Sequence, residues 1–124
     1  EDNININNQI PYENIWDKLN SHAIGIIPFR KNLLTQNNTP TKLFEMMAAG
    51  CHIISSDISP VRQFVSNTID WIKPASTSSI SKSIINVFNK PPRTLWIEKN
   101  RKIIKNQFNW ESKIDLFLDL YSKQ

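Results

Sequence analysis

Glu45 stands one helical turn after Lys42 within Thr39-Pro40-Thr41-Lys42-Leu43-Phe44-Glu45-Met46-Met47-Ala48-Ala49-Gly50. A carboxylate can accept a bidentate pair of hydrogen bonds from vicinal hydroxyls, and a lysine brings a point charge to a phosphate. Near the positive end of a helix dipole, such residues suit an anionic, hydroxyl-rich ligand. The same spacing also fits a plain solvated helix face, where an i,i+3 ion pair contributes only ~0.2–0.5 kcal/mol. Cys51 follows at a strand start, where a buried thiol is inert, and no His–Asp spacing supports a nucleophile. His22 reads as a helix C-terminal residue rather than a base.

The elements that must hold these residues can be read from local pattern. Thr39 is expected to cap a helix Pro40 to Ala49, with Pro40 at its first turn and Gly50 as its left-handed stop. His52 to Ser55 then reads as a strand. The run Ala23-Ile24-Gly25-Ile26-Ile27 has the continuous apolar character of a strand covered on both faces. Ile4 and Ile6, alternating with Asn, predict a further short strand, and Asp70 to Lys73 another, stopped by Pro74. Pro11 opens a helix carrying Tyr12, Ile15, Trp16 and Leu19, and Arg30 to Asn38 reads as a polar loop. Ser59-Pro60 starts a short helix to Val65. Ser76 to Ser79 caps another, Pro91-Pro92 begins the next, and Asn109 caps the last, with Trp110, Ile114, Phe117, Leu118 and Tyr121 on one face. The tryptophans are expected to pack into the core.

This order predicts a single α/β domain over residues 1–124: a Rossmann-like parallel sheet of about four short strands flanked by helices, ending in three consecutive helices. A ligand crevice in such a sheet lies beyond the carboxyl ends of its strands. The loops expected there are Asn7 to Pro11, Pro28 to Thr41, Ser56 to Pro60 and Pro74 to Ser76.

Composition narrows the field. With 40% hydrophobic residues, four Trp and six Phe, the chain can bury a core, while two Gly argue against a glycine-rich phosphate loop. One cysteine excludes an internal disulfide and fits a reducing cytoplasm. The net charge of +4 is spread along the later helices and permits contact with an anionic membrane face, but no DNA- or RNA-reading motif accompanies it. The polar start Glu1 to Gln9 lacks signal-peptide character, and the chain reads as a piece of a longer one.

Taken in order, Ala23 to Phe29, the Thr39–Gly50 stretch, Ile53-Ile54-Ser55-Ser56-Asp57 and the close Gln107-Phe108-Asn109-Trp110-Glu111 with Leu120-Tyr121 resemble a known family. They look like the C-terminal, donor-binding half of a GT-B-fold retaining glycosyltransferase of the nucleotide-sugar-dependent "group 1" (family 4-like) class. The likeness spans nearly the whole chain and implies a truncated GT-B domain, with sugar transfer to a glycan or lipid-linked acceptor in cell-surface polysaccharide synthesis. By that resemblance Glu45 accepts hydrogen bonds from the donor ribose. The family's second glutamate falls at Asn37, eight positions earlier, so the two-glutamate pattern is broken there. Asn37 can still bond to sugar hydroxyls, beside Asn38, while Thr39, Thr41 and Lys42 lie where backbone N–H groups meet the sugar and diphosphate. His52 replaces a common proline, and no role is expected of it.

The same resemblance places the family's diphosphate-gripping basic pair before Glu1 and its acceptor site in an absent N-terminal domain. No catalytic residue, cofactor or metal is expected within this chain. The expected partners are a nucleotide-sugar donor and, through the absent domain, the acceptor. An exposed sheet edge and an apolar last helix would permit self-association of the piece. A sugar-nucleotide epimerase of the same fold, or a non-catalytic nucleotide-binding or interaction module, is the alternative.

Overall fold

The computed structural model describes residues 4–65, 67–73, 76–91 and 93–122. After a 3-10 turn at Tyr12–Asn14, the elements run α1 (Ile15–Asn20), β1 (Ile24–Ile27), α2 (Leu33–Asn37), α3 (Thr41–Ala49) and β2 (His52–Ser56). They continue α4 (Ser59–Phe64), β3 (Asp70–Ile72), α5 (Thr77–Phe88), α6 (Thr94–Gln107) and α7 (Glu111–Ser122). The fold is α/β with a parallel sheet and three helices in succession at the end. Pro74 and Pro92 lie outside the described residues.

Among the described residues the sheet has three strands in the order β1-β2-β3, both pairs parallel. Ile24 lies opposite His52 and Ile27 opposite Ser55, while Ile54 lies opposite Asp70 and Ser56 opposite Ile72. The fourth strand expected at Ile4 and Ile6 does not form. Both side chains are exposed in irregular chain, because no neighbouring strand pairs with the segment and alternation alone cannot stabilise it. All five residues of β2 are buried, as a central strand with both neighbours in place requires.

Gly50 ends α3 as its type demands. Its φ is +82°, and the N–H of Cys51 returns to the Met46 carbonyl at 3.0 Å. The start of that helix differs from expectation. Pro40 takes the N-cap position without a side-chain cap, and Thr39 stays outside, because the helix begins only at Thr41. The segment read as a loop contains α2, which Asn32 and Thr35 close reciprocally: the Thr35 N–H donates to Asn32 Oδ1 at 2.9 Å and the Asn32 N–H to Thr35 Oγ1 at 3.0 Å. Ser76 and Ser79 make the same box at α5, as predicted. Helix α6 starts at Thr94, beyond the two prolines, with Arg93 at its N-cap.

The core gathers Ile27, Leu43, Met47, Ile53, Ile58 and Val61 with Val65 and Ile69, so α3, α4 and the sheet share one interior. Phe44 joins them edge-on to Phe64, their centroids 5.1 Å apart, and packs against Phe108 at 4.9 Å. Met46 lies directly over Gly25 of β1, where a Cβ would fall 2.5 Å from its sulfur. Asn100 of α6 is fully buried, accepting from the Thr68 hydroxyl at 2.5 Å and donating to the Thr68 carbonyl at 3.2 Å. The tryptophans do not all enter this core. Trp71 packs against it, but Trp110 is 71% exposed and Trp16 40%, as neither α1 nor the described side chains of α7 include a buried residue.

Candidate functional site

The carboxyl ends of all three strands open into one cleft of about 690 Å³. Phe29, Arg30 and Lys31 enter it after β1, Ser56 at the end of β2 with Asp57 and Ile58 after it, and Ile72 at the end of β3 with Lys73 after it. Ser76 and Thr77 bring the N-terminus of α5, the positive end of that helix dipole. The loops after Ile27 and Ser56 were expected at this edge and are found there. Asn7 to Pro11 is not, because it follows no strand. Helix α2 shapes the first of these loops from its far side, where Gln36 Oε1 accepts from the Ser59 N–H at 2.9 Å.

Two features of the cleft were not legible beforehand. The hydroxyl of Ser56 is buried and has no hydrogen-bond partner among the described residues, an unmet polar group in the cleft wall. Asp57 holds two cations: Arg62 through its Nε, and Lys73 with Nζ–Oδ2 of 2.7 Å. Hydrogen bonding from Arg62, and then from Lys73, lowers the Asp57 carboxyl from 3.8 to about 2. Arg62 is steadied in turn by the Trp71 ring, 4.5 Å beneath its guanidinium. Arg30 and Lys31 have no carboxylate partner among the described residues, so the lining carries three cations against one anion. The lining is thus net cationic.

The residues singled out from the sequence are spread more widely. Asn37 and Thr39 line a separate hollow of about 360 Å³ with Gln36, Ser59, Pro60 and Gln63. The Asn37 amide is occupied, donating to the Leu33 carbonyl at 2.8 Å. Asn38 and Thr41 are exposed and line neither the cleft nor this hollow. Lys42 reaches the rim of the cleft, its ammonium 5.8 Å from the Phe29 ring centre. Glu45, one turn further along α3, is half-buried and outside the cleft lining. No ion pair forms between Lys42 and Glu45, and the Glu45 carboxylate has no partner among the described residues. The surface-pair reading of these two residues therefore fails, because Lys42 turns to Phe29 instead.

Cys51 behaves as expected of a buried thiol. Its Sγ faces the carbonyls of His22 and Leu19 at 3.5 and 3.7 Å, and burial pushes its pKa up, against a smaller pull from Arg101. His22 caps the end of α1, with Nδ1 2.6 Å from the Lys18 carbonyl. His52, to which no role was assigned, is tied into a network. Its Nε2 lies 2.7 Å from Asp70 Oδ2, and its ring stacks near Trp96. The register alone could have signalled this, since Asp70 faces Ile54 and is thus diagonal to His52 on one sheet face.

Searched against protein-family models and against curated protein sequences, the chain matches none. No described helix is long and apolar enough to cross a membrane.

Proposed function

We propose that this chain binds a nucleoside diphosphate sugar, as the donor-binding part of a retaining glycosyltransferase. The observation that carries this reading is the cationic cleft at the carboxyl edge of the sheet, with its unpartnered Ser56 hydroxyl and the capped N-terminus of α5. The diphosphate would lie against Lys73, Arg30 and the first N–H groups of α5. Glu45, half-buried and without an internal partner, would accept the ribose hydroxyls beyond the Phe29 and Lys42 rim. Asn37 to Thr41 then form the outer wall facing the sugar. The ordered resemblance of nearly the whole chain to the family C-terminal half supports the same reading, and the acceptor and the transfer step would belong to the rest of the enzyme.

Titration calorimetry with a panel of nucleoside diphosphates and their sugars tests this. At least one should bind, and Glu45→Ala should weaken it by ~1.5–3 kcal/mol, the range for a hydrogen bond to a charged group. Absence of any nucleotide binding would overturn the reading, and unchanged affinity in Glu45→Ala would remove the ribose role.

A further inference from the structure

A second cavity, of about 350 Å³, lies at the opposite, amino edge of the sheet, between the starts of β1 and β2 and the turn joining α5 to α6. Its walls are apolar: Ile24, Val87, Phe88, Pro91 and Ile97. The polar groups that line it are His52, Lys90 and Arg93. This volume lies at the small end of the range for small-molecule sites.

His52 is built in. Its side chain is 9% exposed, and Asp70 holds its Nε2 at 2.7 Å. The other oxygen of Asp70 accepts from Arg93 at 3.3 Å, and the Arg93 guanidinium lies 3.9 Å over Trp96, which stacks near the His52 ring. In the tautomer whose Nε2–H donates to that carboxylate, Nδ1 is the ring's acceptor. That nitrogen has no partner among the described residues. Lys90 is exposed at the cavity and pairs with no carboxylate among the described residues, whereas Arg93 is already neutralised by Asp70.

We propose that this cavity is a binding site for a small aromatic acid carrying a hydrogen-bond donor on its ring. The ring fills the apolar walls, the donor meets His52 Nδ1, and the carboxylate meets Lys90. The site is independent of the donor cleft, being at the other end of the strands.

Amide chemical-shift titration of the protein near neutral pH tests this with 4-hydroxybenzoate, benzoate and phenol. We expect saturable shifts at 23–24, 52, 87–90 and 97, with 4-hydroxybenzoate binding ~10-fold more tightly than either probe lacking one group. Lys90→Ala should lower the affinity for 4-hydroxybenzoate ~5-fold and leave that for phenol unchanged. His52→Phe should erase the preference for 4-hydroxybenzoate over benzoate. Should His52→Phe fail to fold, the Lys90→Ala comparison decides alone, since Lys90 is a surface residue. No saturable binding at millimolar concentration, equal affinity for all three probes, or shifts confined to the carboxyl-edge cleft would each overturn the proposal. In that case the His52–Asp70–Arg93–Trp96 cluster is only a brace between β2, β3 and α6.

Discussion

The guanidinium of Arg101 lies across the turn at Gly50. Its Nη2 donates to the Ala49 carbonyl at 2.9 Å and its Nε to the Ala48 carbonyl at 3.3 Å, so α6 closes the end of α3. A Cβ on Gly50 would meet that guanidinium while also holding a left-handed φ of +82°.

Gly50→Ala is therefore expected to cost about 1–2 kcal/mol from backbone conformation alone, plus loss of part of the Arg101 contact. Urea denaturation should show a lowered midpoint with an unchanged slope. A change smaller than a few tenths of a kcal/mol would contradict this account.

At Gly25 the constraint is space rather than conformation. Gly25→Ala would drive a methyl into the Met46 side chain, an overpacking that costs about 1–3 kcal/mol. Met46→Ala in the same chain should return part of that loss. A double-mutant cycle with no coupling between the two would show that they do not share this contact.

Asn100 is the one buried residue of α6, and it satisfies Thr68 twice. Asn100→Leu fills similar space but leaves the Thr68 carbonyl and hydroxyl without that partner, for an expected loss of about 1–3 kcal/mol. Thermal unfolding of Asn100→Leu beside Thr68→Val and the double variant would test it. Equal stability of Asn100→Leu and the parent chain would argue that water replaces the amide.

Asp57 gives the fold a signature at low pH. Its carboxyl is held at about 2 by Arg62 and Lys73, below the ordinary 3.8. A depressed folded value means that its contribution is fully present above 3.8 and is lost as the pH falls through about 2. Carboxyl carbon shifts followed by NMR should show this late titration, and Arg62→Ala should move it upward. An Asp57 that titrates in the ordinary range would mean the clamp does not form in solution.

Much of this architecture could be read from local chemistry. The unbroken apolar run at Ala23 to Ile27 announced a strand buried in a parallel sheet, the segment His52 to Ser55 after the Gly50 stop read as another, and Gly50 announced its turn, because each signal is carried by adjacent residues. Helix α2 was missed because its box is written Asn32-x-x-Thr35 rather than with the common Ser or Thr and Glu pair, and it spans only five residues. Ile4 and Ile6 misled for the opposite reason: alternation is local, but a strand exists only through a neighbour. The position of the cleft followed from strand direction. Its contents did not, nor did the His52–Asp70 diagonal at the other edge of the sheet, since the unmet Ser56 hydroxyl, the Asp57–Lys73 pair and that diagonal all depend on register between segments distant in sequence.

The central place of β2 has a bearing on how the molecule yields. A strand paired on both sides and buried along its full length exchanges its amide protons only when the whole domain comes apart, whereas the loops at its carboxyl end can open by themselves. The floor of the cleft is thus the last part to give way and its walls belong to the first. A guest can be admitted by fluctuations of the rim while the ground beneath it stays closed to solvent.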